Sequence, residues 1–269
     1  MYRFDYHRAG SVAQAAALLA ERGEAVPLAG GMTLIPTLKH RLAAPSDLVD
    51  LGFIEGLSGI AIGSETVTIG AMTRHADVAA SAELARVLPI LPRLAGHIGD
   101  RQVRSRGTIG GSLANNDPAA CYPAAALALG ATIVTDRREI AADDYFQGLF
   151  ATALEPGELI VAIRFPRVDA AAYAKFANPA SRYAMVGVAV ARGAGTIRVA
   201  VTGAGSGGVF RPDVLEAALA VDFSPEAALR ARVDADDLMS DIHAQADYRA
   251  HLISVMASRA VADCLGGAA

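Results

Sequence analysis

The chain has no tryptophan, two cysteines and only 6% aromatic residues in 269 positions. Cys121 and Cys264 cannot build a disulfide framework, and their scarcity fits a protein of the reducing cytoplasm. They cannot hold an iron–sulfur cluster either, since that takes four thiolates. Any redox chemistry in this chain therefore uses an organic cofactor. Basic runs are missing and the net charge is −4, which argues against nucleic acid as a partner. No apolar stretch reaches the length of a membrane span, and Met1 to Asp5 lacks the profile of a secretion signal. There is no G-x-x-x-x-G-K-[ST] loop, no G-x-S-x-G elbow and no H-E-x-x-H helix. The histidines (His7, His40, His75, His97, His243, His251) lack metal-ligand spacing, so solvated or supporting roles are their default. With 53% apolar and 19% charged residues, the chain can bury a sizeable core and is not expected to be disordered. Its length suits two or three small units.

What the sequence does have is a run almost empty of packing side chains, Arg106-Gly107-Thr108-Ile109-Gly110-Gly111-Ser112-Leu113-Ala114-Asn115-Asn116-Asp117-Pro118. Glycine removes Cβ atoms and lets backbone N–H groups approach a ligand. Thr108 and Ser112 add hydroxyl donors, and successive N–H groups suit an anion such as phosphate. A surface turn is the plainer explanation of such a run taken alone. A second run of the same kind, Pro27-Leu28-Ala29-Gly30-Gly31-Met32-Thr33, lies upstream. Two such loops could hold the two ends of one diphosphate.

Around these runs the pattern predicts alternating elements. Ser11 caps a helix, with Gln14 as its capping-box partner, and that helix stops at Gly23. A strand follows at 25–29, a helix starts at Thr33 with Leu34, Ile35 and Leu38 inward, and 48–51 is a strand. This β–loop–α–β order implies a parallel pair. Residues 60–62 and 67–69 form a hairpin around Gly63-Ser64-Glu65-Thr66. Thr73 caps a helical region that runs with breaks to about His97, and the glycine run follows as a loop. An alanine-rich helix bracketed at its start by Pro118 and Pro123 reaches Leu129, with strands at 131–135 and 158–165. Beyond a charged, alanine-rich joint at 167–172 come strands at 185–190 and 196–201. Helices follow at 213–220, at 225 to about 233 with Ser224 as cap, and from about Gln245 to Leu265. The expected organisation is α+β: two α/β pieces to about residue 170, then an α+β module.

Other motifs carry weaker signals. Gly203-Ala204-Gly205-Ser206-Gly207-Gly208 matches G-x-G-x-x-G, but Val209-Phe210-Arg211-Pro212 separates it from any helix, so a loop between strand and helix is the better reading. Asp143 and Asp144 fit a solvated face or a helix cap. Arg101, Arg104 and Arg106 either balance an anion or face water. Cys121 reads as a buried structural thiol in preference to a reactive one. Tyr183 is either a core aromatic or a platform over a planar ring.

Taken together, Ala29-Gly30-Gly31-Met32-Thr33, Arg104-Ser105-Arg106-Gly107-Thr108-Ile109-Gly110-Gly111-Ser112, and Asn116-Asp117-Pro118 with Pro123 and Ala124 resemble the medium, FAD-binding subunits of the molybdenum hydroxylase family, the group of carbon monoxide and xanthine dehydrogenases. The likeness extends through Tyr173-Ala174-Lys175-Phe176 to the turn at Gly203. It implies a p-cresol-methylhydroxylase-type FAD-binding fold over residues 1–170, in subdomains of about 1–55 and 56–170, and a flavoprotein C-terminal domain over 171–269. It further implies that Pro27, Leu28, Ala29, Gly30, Gly31, Met32, Thr33 and Leu34, with Thr108, Ile109, Gly110, Gly111 and Ser112, grip a non-covalent FAD through its diphosphate. Thr73 lies where the family makes backbone contacts to the cofactor, and Asp117 belongs to the same site. Ile160 packs near the flavin ring, and the region from Lys175 to Tyr183 closes over it. The pattern departs from the family in two places. Many members have an acidic residue at Cys121 that bonds the ribityl chain, and thiols are poor acceptors. Some have a lysine at Ala177.

The resemblance thus implies an electron-transfer subunit without catalytic side chains. Its partners are a large subunit carrying the molybdenum cofactor and a small subunit with two [2Fe–2S] clusters, in a dimer of heterotrimers. A stand-alone flavin reductase or oxidase on the same fold is the rival, and it needs a proton donor that the sequence does not offer. A scaffold that has lost its cofactor is a third reading, favoured only by Cys121.

Overall fold

The computed structural model describes residues 1–266, so the last three residues of the expected C-terminal domain lie outside the described residues. Three sheets of three or more strands organise the described residues, beside a two-stranded ribbon of Phe146–Gly148 and Ala151–Thr152. The first is parallel, with Asp47–Asp50 between Asp5–Arg8 and Ala25–Leu28. The pairing expected for the two later strands is present. The strand Asp5–Arg8 went unread because its four residues are polar and mostly exposed. Ser11 caps the helix Val12–Glu21 by accepting from the Gln14 N–H at 3.1 Å. Gln14 reaches past the cap and accepts from the Gly10 N–H at 2.8 Å.

The second sheet is antiparallel, in the order Ile60–Ile62, Thr66–Gly70, Ile160–Pro166, Thr132–Thr135, Glu139–Ala141. It shares the central core with Val78, Leu84, Leu91, Leu94, Ile109, Leu113 and the helix Cys121–Leu129. All nine residues of that helix are buried, which explains its alanines. An element surrounded by neighbours needs small side chains so that they can all approach.

The third sheet is the meander Ala170–Ala177, Ala184–Gly193, Thr196–Thr202. Val186, Val188 and Val190 pack with Leu252, Ile253 and Met256 of the helix Ala246–Cys264, while Ala189, Ala191 and Ala200 face the central core. Burial on both faces accounts for the unbroken apolar run. Thr202 ties this sheet to the start of the helix Cys121–Leu129, its hydroxyl lying 2.8 Å from the Pro118 carbonyl and 2.7 Å from that of Ala120.

Several expectations need correction. The glycine run is not a loop: Ile109–Asn115 is a helix, capped by Thr108, whose hydroxyl accepts from the Gly111 N–H at 3.1 Å. Ile109, Gly110 and Leu113 are buried, so the run does contribute to the core. Arg101–Arg106 is a helix as well, capped by Asp100. Thr73 is not a cap; its buried hydroxyl pairs with the N–H and carbonyl of Gly59 at 2.9 and 3.1 Å. Thr33 precedes the helix Leu34–Lys39 without a side-chain capping bond. The joint at 167–172 already contains the start of the strand Ala170–Ala177. Its alternation is blurred because both faces are covered. Asp143 lies on a solvated face as expected and is not a cap; there it pairs with Arg198 at 2.8 Å and Arg211 at 3.1 Å. Gly203 to Gly208 remains a loop, with no helix before Asp213.

Candidate cofactor cleft

The two side-chain-poor runs meet. A Cβ on Gly30 would be driven into the Arg106 carbonyl and would stand 2.8 Å from the Gly107 Cα. Only glycine permits that approach. The second run is fixed from its other side by residues 71–75. His75 N donates to Gly107 O at 2.9 Å, Ile109 N to Thr73 O at 3.1 Å, and Gly110 N to Ala71 O at 2.8 Å. Gly110 lies flat on Ala71, where an added Cβ would sit 2.6 Å from the alanine methyl carbon.

Between the runs opens a cleft of about 500 Å³, a size typical of small-molecule sites (~300–1,000 Å³). Its wall includes Pro27, Ala29, Gly30, Gly31, Met32, Thr33 and Leu34 from the first run, and Thr108, Gly110, Gly111, Ser112 and Asp117 from the second. Cys121, Ile160, Lys175 and Tyr183 complete the expected set on the wall. Leu28, Thr73 and Ile109 are not on it. Leu28 ends a strand, the Thr73 hydroxyl is engaged with Gly59, and Ile109 is fully buried in the central core.

The donor set suits a diphosphate. The backbone N–H groups of Gly30, Gly31, Met32 and Thr33 have no partner among the described residues. Unpaired donors beside a cleft are costly unless water or a ligand accepts from them. Hydroxyls of Thr33, Thr108 and Ser112 stand on the same wall. At the far end, Cys121 is 5% exposed, and its sulfur lies 3.6 Å from Lys175 Nζ. Lys175 Nζ also donates to the carbonyls of His97 and Arg182 at 2.6 and 3.0 Å. Ala177 does not line the cleft; a register shift at Phe176/Ala177 intervenes, and Lys175 is the lysine within reach. Tyr183 is 53% exposed, so it is not a core aromatic. Partial burial raises its pKa, and the nearby Asp117 and Cys121 raise it further. Asp117 itself accepts from the Ala119 N–H at 2.8 Å.

Sequence reasoning missed His75, Val103 and Glu158, and gave Arg182 only as part of the region closing over the ring; all four are on the wall. His75 is buried against Tyr122, ring centroids 5.4 Å apart, and its Nδ1 has no partner among the described residues. Burial, and then the charge of Arg104, lowers its pKa to about 4. The available signal was its place three residues before Val78 on the inward face of a helix. Glu158 accepts from Arg138 Nε and Nη2 at 3.0 Å each, from Thr135 Oγ1 at 2.7 Å and from Glu155 N at 2.8 Å. The Arg138 bonds lead in holding its pKa down at about 2. No group of three or more His, Cys, Asp or Glu among the described residues could hold a metal ion. No helix among them is long and apolar enough to cross a membrane.

Comparison with known proteins agrees with this geometry. The family described as the FAD binding domain in molybdopterin dehydrogenase matches residues 2–168. The carbon monoxide dehydrogenase medium chain of Afipia carboxidovorans is 47% identical over 195 residues, 70% of this chain and 68% of that one. The 6-hydroxypseudooxynicotine dehydrogenase complex subunit alpha of Paenarthrobacter nicotinovorans is 36% identical over 97% of this chain and 94% of its own length. Among solved structures, reconstituted CO dehydrogenase from Oligotropha carboxidovorans has a chain that superposes with a TM-score of 0.89, at 36% identity over 99% of both chains.

Proposed function

The chain belongs to the family of FAD-binding domains in molybdopterin dehydrogenases, and from that premise we propose that it carries electrons within a molybdenum hydroxylase complex. It is an FAD-binding medium subunit of this family, similar along its length to the subunits of carbon monoxide and 6-hydroxypseudooxynicotine dehydrogenases. In this reading, residues 1–170 form the FAD-binding domain and 171–269 the C-terminal domain, which lends Lys175 and Tyr183 to the site. A small partner subunit with [2Fe–2S] clusters delivers electrons, and a large molybdenum subunit oxidises the substrate. The assembly is a cytoplasmic dimer of heterotrimers.

FAD, when bound, supplies the conversion of single electrons into pairs. The chain's own residues supply position and electrostatics. The free N–H groups of Gly30 to Thr33 and the hydroxyls of Thr108 and Ser112 would hold the diphosphate. Ile160 and Tyr183 would give the ring apolar walls, and Lys175 would place a positive charge at the same end as Tyr183. No side chain has to act as an acid or base.

The observation that carries this reading is the meeting of Gly30 with Arg106 and Gly107, which joins two distant runs into one clasp. The test is purification of the full chain alone and with its partner subunits. One FAD per chain is expected, with substrate bleaching the flavin only in the assembled complex. A colourless chain that cannot be reconstituted with FAD would overturn the reading. Full turnover by the isolated chain with NAD(P)H and a dye would do the same, in favour of a stand-alone reductase.

A further inference from the structure

A second cavity of about 450 Å³ adjoins the cofactor cleft and shares Gly99, Lys175 and Arg182 with it. Its wall also carries Arg104 and His97, and it has no carboxylate. Two of the charges there are fixed in place without being cancelled. Lys175, one of only two lysines in the sequence, bonds to the neutral carbonyls of His97 and Arg182. Arg104 Nη1 bonds to the carbonyls of Ile98 and Gly99 at 2.9 and 3.2 Å. The Arg182 guanidinium has no hydrogen-bond partner among the described residues.

Arg182 is also held ready. It sits at φ +62° in the turn between the strands Ala170–Ala177 and Ala184–Gly193. Asn178 N donates to Tyr183 O at 2.8 Å, Arg182 N donates to Asn178 O at 2.9 Å, and Asn178 Oδ1 accepts from the Ala180 and Ser181 N–H groups. A concave wall with three unneutralised cations attracts and retains an anion. Because the turn is already formed, little ordering is left to oppose binding.

We propose that this cavity is the docking subsite of the external electron acceptor, and that the acceptor is a small molecule bearing oxyanion or comparable negative charge. The proposal rests on the reading that FAD fills the adjoining cleft. Two electrons pass to the acceptor and two protons to water as FADH2 returns to FAD, so a one-electron anion such as ferricyanide is consumed two per flavin.

The test uses the full chain loaded with FAD, so that the diphosphate clasp is already filled. Calorimetric titration with inorganic pyrophosphate should show one saturable, salt-sensitive site, weakened about tenfold by Arg182→Gln and largely restored by Arg182→Lys. The same chain, reduced anaerobically, is then mixed with ferricyanide or with uncharged benzoquinone. Arg182→Gln should slow reoxidation by ferricyanide about tenfold more than it slows reoxidation by the quinone. Equal slowing of both acceptors overturns the proposal. So does loss of pyrophosphate binding once the partner subunits are assembled, which would assign the charge to a subunit interface. FAD uptake without pyrophosphate binding refutes the acceptor subsite alone. A chain that takes up no FAD refutes the cofactor reading first and this one with it.

Discussion

Gly30 and Arg106 lie backbone against backbone, seventy-six positions apart in sequence, with no space between them for a methyl group. That contact brings the two donor-rich runs to opposite sides of one cleft. Gly30→Ala must therefore separate them. The expected cost is about 1–3 kcal/mol of stability from overpacking, with FAD retention falling more steeply than the melting temperature. Urea unfolding together with the flavin absorbance of the purified variant checks this. A variant that binds FAD as tightly as the parent would mean that the clasp tolerates widening.

Tyr183 makes a different prediction because it is half exposed and supports little of the core. Tyr183→Ala should change folding stability by less than about 0.5 kcal/mol. If its ring lies over the flavin, its loss should cost about 0.5–1.5 kcal/mol of cofactor binding, roughly a two- to tenfold weaker Kd. Fluorescence titration of the cofactor-free chain with FAD measures it.

The two thiols should part company toward alkylation. Cys121 opens onto the cleft. Cys264 packs on the C-terminal core, where burial pushes its pKa up to about 12 and keeps it protonated. Iodoacetamide should therefore label Cys121 in the FAD-free chain and spare Cys264. FAD should protect Cys121. Peptide mass spectrometry with and without FAD reads both, and labelling of Cys121 undiminished by saturating FAD would place the cofactor elsewhere.

His75 sets an acid limit. Its folded pKa of about 4 lies below the ordinary 6.5, so between these values the unfolded chain binds the proton and the folded chain does not. The penalty is absent above pH 6.5, grows as pH falls, and reaches about 3 kcal/mol near pH 4. His97, also lowered by burial with help from Lys175 and Arg104, adds in the same direction. Glu158, held at about 2, works in a lower window, since its contribution is present above pH 4.5 and lost as pH falls toward 2. Denaturant unfolding between pH 4.5 and 7 should therefore show stability rising with pH, and His75→Asn should flatten most of that slope. An unchanged slope in the variant would show that the imidazole is solvated.

Much of the fold was legible in local chemistry. Ser11, Ser224 and the turn at residues 63–66 define element ends through bonds that span a few residues. The alternation of residues 66–70 and the apolar run at 184–193 follow from how many faces each strand buries. The helix Ile109–Asn115 was not legible, because three small residues in a row look like a turn until Ala71 and Thr73 offer carbonyls to its first N–H groups. For the same reason Thr73 passed for a cap: its true partner, Gly59, is fourteen residues away.

By itself the sequence determined that this chain has two runs able to expose backbone donors, that it cannot hold an iron–sulfur cluster, and that it has apolar residues enough for a large core. Those properties depend on residue type and short-range order alone. Only the tertiary structure decided that Gly30 meets Arg106, that Lys175 rather than position 177 reaches the cleft, and that His75 and Arg182 stand beside it. Each of those facts depends on which distant backbones pack together, and that is set by the joint burial of three sheets rather than by any local pattern.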